Sequence, residues 1–261
     1  MPSKLSVLPE IHILLTNLVM PESPRWHDGR LWFSNWCANE IIAVNLSGTI
    51  EIITRVPHPI PFCIDWLPDG RLLIVSGPES LILRLEDGNL VTHTDLRSVS
   101  DKGWNEIVVD GRGNTYVNGA PGIIALVTPH GSVRQVADGI AFPNGMAVTP
   151  NNKTLIIAES HGKKLTALDI ASDGSLSNRR VWAALDGPPD GICIDTEGAI
   201  WYADVPNKKC VRIREGGEVL QTIHLDRGCF SCALGGPDKK NSIYGCSGVA
   251  RHGQNHRSRP S

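Results

Sequence analysis

One phrase, rewritten several times along the chain, limits what it can fold into. It consists of a polar residue, a short apolar run, a tight polar turn and a second apolar run. Its clearest copy begins Phe142-Pro143-Asn144-Gly145-Met146, turns at Pro150-Asn151-Asn152-Lys153 and resumes at Leu155-Ile156-Ile157-Ala158. The stretch from Pro189-Asp190-Gly191 to Ile200-Trp201-Tyr202 has the same shape, with Asp190 where Asn144 stands. The stretch from Trp104-Asn105 to Thr115-Tyr116-Val117 offers Asn105, and that from Pro21-Glu22 to Leu31-Trp32-Phe33 offers Glu22. Two apolar runs joined by a tight polar turn predict a β-hairpin.

Gly29, Gly70, Gly113, Lys153, Gly198 and Asn241 mark comparable turns. Their spacing, roughly 40 to 45 residues, is that of a β-propeller blade. Each unit adds a second pair of apolar runs, as in Ile41-Ile42-Ala43-Val44 and Ile50-Glu51-Ile52-Ile53, making four short strands. We expect an all-β, six-bladed β-propeller forming a single domain over residues 1–245. Ile11 to Leu15 is expected to close the ring by adding a strand to the last blade, because an open ring leaves unpaired edges. That blade is the weak point. After Ser242-Ile243-Tyr244-Gly245 the chain shows no alternating apolar run and turns rich in Arg, His and Ser. The last blade is therefore expected to be incomplete at the C-terminus, with 246–261 a disordered or aberrant tail. Oligomerisation is one way to offset such an open ring.

Composition removes several classes. A formal net charge of −2 over 261 residues, with no basic block before the last few, argues against a nucleic-acid partner. No apolar run approaches the ~20 residues that cross a bilayer, and the start lacks the apolar core of a secretory signal. A soluble, cytoplasmic protein is expected, with no membrane partner. Of the seven cysteines, Cys37, Cys63, Cys193 and Cys210 read as small buried side chains in strand runs. Cys229-Phe230-Ser231-Cys232 lacks the βαβ setting of a redox pair. Gly245-Cys246-Ser247-Gly248 is no nucleophile elbow, and there is neither a His-Glu-x-x-His nor a phosphate loop. His58 or His161 would suit a lid; the plainer reading is a solvated loop histidine.

In a ring of blades, residues at equivalent steps point at one axis. The entrances of the innermost strands carry Glu22, Cys63 or one of its neighbours, Asn105, Asn144, Asp190 and Cys232. Glu22, Asn144 and Asp190, with Asn105 nearby, are oxygen donors without imidazole or thiolate. Such a set favours Ca²⁺, with Mg²⁺ or Mn²⁺ as substitutes. Any one of them alone is an ordinary turn residue; the argument lies in their shared phase. Trp36 and Trp104 can supply flat apolar walls, the plain alternative being blade packing.

The Glu22-Ser23-Pro24-Arg25-Trp26, Phe142-Pro143-Asn144-Gly145 and Pro189-Asp190-Gly191 segments resemble the senescence marker protein (regucalcin), gluconolactonase and luciferin-regenerating enzyme family, in order from about residue 9 to residue 245. The resemblance implies a six-bladed propeller with one divalent metal in its channel, Ca²⁺ before Mg²⁺, Mn²⁺ or Zn²⁺, held by Glu22, Asn144 and Asp190. It nominates Asp190 for proton removal and Asn105 for facing substrate or metal-bound water. The implied activity is metal-dependent opening of a sugar lactone or a less polar cyclic ester. The chain departs from the family where animal members carry an arginine two residues before the asparagine: here stands Gly103, which weakens the grip on a hydroxylated substrate. The alternative function is a non-catalytic propeller that binds calcium or another ligand, since the fold alone cannot choose.

Overall fold

The computed structural model describes residues 11–58, 60–236, 241–246 and 249–254. Its strands fall into six four-stranded sheets. After β1 (Ile11–Thr16) the first blade takes β2 (Pro21–His27), β3 (Arg30–Asn35), β4 (Glu40–Val44) and β5 (Ile50–Arg55); the second takes β6 (Phe62–Trp66), β7 (Leu72–Ser76), β8 (Leu81–Glu86) and β9 (Asn89–Asp95). The third holds β10 (Trp104–Val109), β11 (Thr115–Gly119), β12 (Ile123–Val127) and β13 (Val133–Ala137). The fourth holds β14 (Pro143–Val148), β15 (Thr154–Glu159), β16 (Lys164–Ile170) and β17 (Leu176–Ala184). The fifth holds β18 (Ile192–Ile194), β19 (Ile200–Asp204), β20 (Lys209–Ile213) and β21 (Val219–His224). Three strands remain: β22 (Cys229–Gly235), β23 (Asn241–Cys246) and β24 (Val249–Gln254).

Here the expected fold is corrected. The chain is not six serial blades ending in an incomplete one. Five blades are contiguous, and the last sheet is a composite of both chain ends in the order β1-β24-β23-β22, with β1 closing it as expected of Ile11 to Leu15. Val249 to Gln254, inside the stretch expected to be disordered, pairs with β23 on one side and with β1 on the other. A strand held between two partners has both rows of backbone groups satisfied, so it needs no alternating apolar run of its own. The rest of the expected tail, 247–248 and 255–261, lies outside the described residues.

The second strands show why the apolar runs are continuous rather than alternating. Leu73 and Val75 pack toward the third blade, with Ile107 and Val117, whereas Leu72 and Ile74 pack toward the first, with Ile41 and Ala43. Leu155 and Ile157 join the cluster shared with Tyr116 and Ile124, while Ile156 and Ala158 join Ile200 and Tyr202. Each blade is thus covered on both faces, and both sets of alternating side chains must be apolar. The core is a ring of clusters between neighbouring blades, completed where Leu14 and Leu15 of β1 pack on Leu31 and Phe33.

One edge strand of each sheet faces the hub: β2, β6, β10, β14, β18 and β22 pack in that order, and β22 meets β2 again. Close approach here explains the glycines that follow two of the polar residues. A Cβ on Gly145 would stand 2.5 Å from the Ile192 nitrogen and 2.7 Å from the Asp190 carbonyl oxygen. One on Gly191 would stand 2.8 Å from Ser231 Cα. Asn144-Gly145 is therefore a strand step against a neighbouring strand rather than a turn. One short 3₁₀ turn, Trp36–Ala38, places Cys37 on the surface, not buried in a strand as expected. Among the described residues no helix is long and apolar enough to cross a membrane.

Candidate active site

Glu22, Cys63, Asn105 and Asn144 are each the second residue of their innermost strand, in β2, β6, β10 and β14. Asp190 lies just before β18. All five line one cavity of about 700 Å³ at one end of the hub, together with Trp36 and Trp104. A second cavity, of about 320 Å³, is lined by later residues of the same strands, including Arg25, Val108, Met146 and Ile192. All six site residues named from the sequence therefore share the larger cavity. In the composite sheet, phase misled: the cavity is lined by Phe230, the second residue of β22, and Cys232 is buried in the cluster with Cys210 and Trp201.

Local irregularity aims these side chains. Pairing shifts between Glu22 and Arg25 on β3, between Trp104 and Ile107 on β11, and between Pro143 and Met146 on β15. A bulge at the same step of three inner strands turns side chains that would alternate onto one side. The β6–β7 pairing has no such shift, and its residue at that step is Cys63. In β10 the bulge brings both Asn105 and its neighbour Glu106 to the cavity. Glu106 has no counterpart in the sequence reading, since strict alternation would send it to the opposite face.

Two buried carboxylates stand at this end of the hub. Glu22 is 8% exposed and Glu106 7%. Burial, then repulsion from Asp190 and Glu106, holds the Glu22 carboxyl well above the usual carboxylate range. Burial likewise pushes Asp190 up to about 8, against a hydrogen bond from Asn144 that lowers it. Glu106 is also raised, chiefly by burial, but it has a compensating partner. Arg25 Nη2 donates to Glu106 Oε1 at 3.2 Å and to the Ile107 carbonyl at 3.0 Å, with its Nε 3.9 Å from Asp65. Ser23 Oγ accepts from the Ile64 N–H at 3.0 Å, tying the first blade to the second. Thus the Glu-Ser-Pro-Arg-Trp segment supplies a cavity carboxylate, an inter-blade tie and a counter-charge.

The asparagines are fixed by the same network. Asn118 Nδ2 donates to the Asn144 carbonyl at 2.6 Å, and Asn144 Nδ2 lies 3.5 Å from Ser160 Oγ. The Ser160 hydroxyl donates to the Pro189 carbonyl at 2.6 Å, which anchors the approach to Asp190. With its N–H groups turned to Ser160 and Asp190, Asn144 has Oδ1 left for a cation.

Comparison with known proteins adds identity to this geometry. The profile described as the SMP-30/Gluconolactonase/LRE-like region matches residues 20–243. The chain belongs to that family. Regucalcin of Xenopus laevis is 37% identical over 124 residues, covering 45% of this chain and 41% of that protein. Regucalcin of Sus scrofa is 31% identical over 259 residues, covering 90% of this chain and 85% of that one. A gluconolactonase from Xanthomonas campestris superposes with a TM-score of 0.81 at 19% identity, covering 94% of this chain and 89% of its own. At that identity the superposition speaks for the fold alone.

The donor set of this SMP-30-like cavity can be tested against a divalent cation. Among the described residues no three His, Cys, Asp or Glu side chains converge as a metal-binding group. The set is instead two carboxylates, Glu22 and Asp190, completed by the amides of Asn144 and Asn105. Oxygen donors alone suit a hard cation, and two negative charges offset its two positive ones. The repulsion between the buried carboxylates is what such an ion would relieve. The residues fit the group.

Proposed function

We propose that this chain is a divalent-cation-dependent lactone hydrolase, with Ca²⁺ the best fit and Mg²⁺, Mn²⁺ or Zn²⁺ as substitutes. The observation that carries it is the gathering of Glu22, Asn105, Asn144 and Asp190 from four blades in a single cavity. The name of the structurally similar gluconolactonase and the family description support the choice of reaction. Glu22, Asn144 and Asp190 would hold the ion. When bound, it supplies Lewis-acid stabilisation for charge developing on a carbonyl oxygen.

The chain's own residues do the rest. Asp190, steadied by Asn144, takes a proton from the attacking water; that proton goes to the ring oxygen as the acyl C–O bond breaks, leaving a hydroxy acid. A carboxylate that held a cation would be a weaker base, which limits Asp190 as the proton acceptor. Asn105 orients the lactone, and Trp36 and Trp104 flank it. The partner is a small lactone or ester; the reading needs neither nucleic acid nor membrane, and the cytoplasm is the location it assumes.

A panel of lactones, assayed after chelation and after restoring each ion in turn, tests the proposal. Hydrolysis lost on chelation and restored by one ion is the expected result. Cation binding without turnover of any lactone would favour a propeller that only binds calcium.

A further inference from the structure

The cavity has two unlike linings. Its oxygen donors come from the starts of the innermost strands, whereas its apolar wall comes from segments flanking strands, Trp36, Ile60, Pro78, Pro121 and Phe142, together with Trp104, the buried first residue of β10. That wall offers a ligand carbon. Trp36 Nε1 donates to the Phe62 carbonyl at 2.6 Å, and Trp104 Nε1 donates to the Ser100 carbonyl at 3.1 Å. An indole has one donor and no acceptor, so both rings have spent their polar atom on backbone. Lys102 is the only ammonium or guanidinium among the described residues lining the cavity.

The rim continues the pattern. Phe142 is 54% exposed, with its ring stacked on His161 at a centroid distance of 4.5 Å. Its φ of 59° is in the left-handed region, which bulky residues rarely adopt. A large ring is therefore held at the opening against both solvent exposure and backbone preference. Gly103 sits at φ 91°, so an arginine there would be strained whatever the space around it. The missing guanidinium follows from the backbone path as well as from the residue.

A polyhydroxylated lactone would bring several hydroxyls against this wall. A buried hydroxyl without a partner loses its water and gains nothing. An alkyl group gains by leaving water. The volume of about 700 Å³ exceeds what a bare five- or six-membered ring fills and lies among pockets for larger ligands.

We propose that the substrate is a lactone bearing an aliphatic chain of several carbons on its ring. The ring lies at the oxygen donors and the chain lies along Trp36, Ile60 and Phe142. This rests on the hydrolase reading and goes beyond it by naming the substrate class.

The test uses a series of γ-lactones with lengthening alkyl chains, set against glucono-δ-lactone. Two readouts are taken on the cation-loaded protein: kcat/KM, and the affinity of the matching non-hydrolysable lactams by calorimetry. Each added methylene should raise both by about threefold until the wall is covered. Phe142→Ala should lower the ratio of the longest member's kcat/KM to that of unsubstituted γ-butyrolactone by roughly tenfold, and Phe142→Leu should restore most of that ratio. Hydrolysis with a flat lactam series, or with glucono-δ-lactone ahead of the alkyl lactones, overturns the substrate class alone. A graded lactam series without turnover overturns the hydrolase reading and keeps the apolar wall. A flat series without turnover overturns both.

Discussion

The floor and the wall of the same cavity are made in opposite ways. The floor gathers Glu22, Asn105 and Asn144 from strands whose pairing is bulged and Asp190 from the entrance of β18, within a network running through Asn118, Ser160 and Arg25. The wall gathers Trp36, prolines and a phenylalanine from flanking segments, with Trp104 at the head of β10 and the indole N–H groups turned away. Buried polar groups must be placed within a few tenths of an ångström to be satisfied, so they sit on strands. Apolar contact is non-directional and tolerates substitution, so it can sit on loops. On this contrast the floor sets whether the reaction occurs and the wall sets which substrate is chosen.

The sharpest break of that contrast is Asp190→Ala. It should reduce turnover by at least about a thousandfold on every lactone, since it removes both a proton acceptor and a donor to the cation. Turnover near the wild-type rate would show that neither role is real. Next comes Gly145→Ala, a change of one methyl outside the donor set. Because the added carbon would meet the backbone of Asp190 and Ile192, it should cost about 3 kcal/mol of stability, read as a drop in Tm, and weaken cation binding. An unchanged Tm would mean that β14 and β18 are not packed as tightly as described.

A pH series sharpens the comparison further. In cation-free protein the Asp190 carboxyl is raised by burial to about 8 from an ordinary 3.8. Between those values the unfolded chain has lost a proton that the folded chain keeps, so this group's contribution falls as pH rises from about 4 to about 8. Glu22 acts in the same direction. Chelated protein should therefore have a lower Tm at pH 8 than at pH 5, and added Ca²⁺ should recover more at pH 8. Equal recovery at both would contradict the linkage. The smallest effect belongs to the wall: a roughly tenfold fall at Phe142→Ala in the ratio of two kcat/KM values, alkylated over unsubstituted.

How much of this could be read from residues alone follows the same division. The hairpin phrase placed the turns at Gly29, Gly70, Gly113 and Gly198, and its phase brought Glu22, Asn105, Asn144 and Asp190 to one cavity. It failed where backbone geometry, not pattern, decides. Glu106 joins the floor because a bulge cancels alternation in β10. Phe230 stands where Cys232 was expected because β22 starts at Cys229, a boundary no apolar run announces. The strand Val249–Gln254 carries no strand-like pattern, being held from both sides by its neighbours. The Phe142 ring at the rim depends on a left-handed φ that its residue type argues against.

The most direct measurement is a calorimetric titration of Ca²⁺ into chelator-treated wild-type protein and into Glu22→Gln and Asp190→Asn. The account predicts one site per chain in the wild type, weakened at least about a hundredfold in each variant while their far-ultraviolet spectra stay those of the folded propeller. Equal affinity in all three, or no binding to the wild type, would contradict the claim that side chains from separate blades hold one cation at the hub.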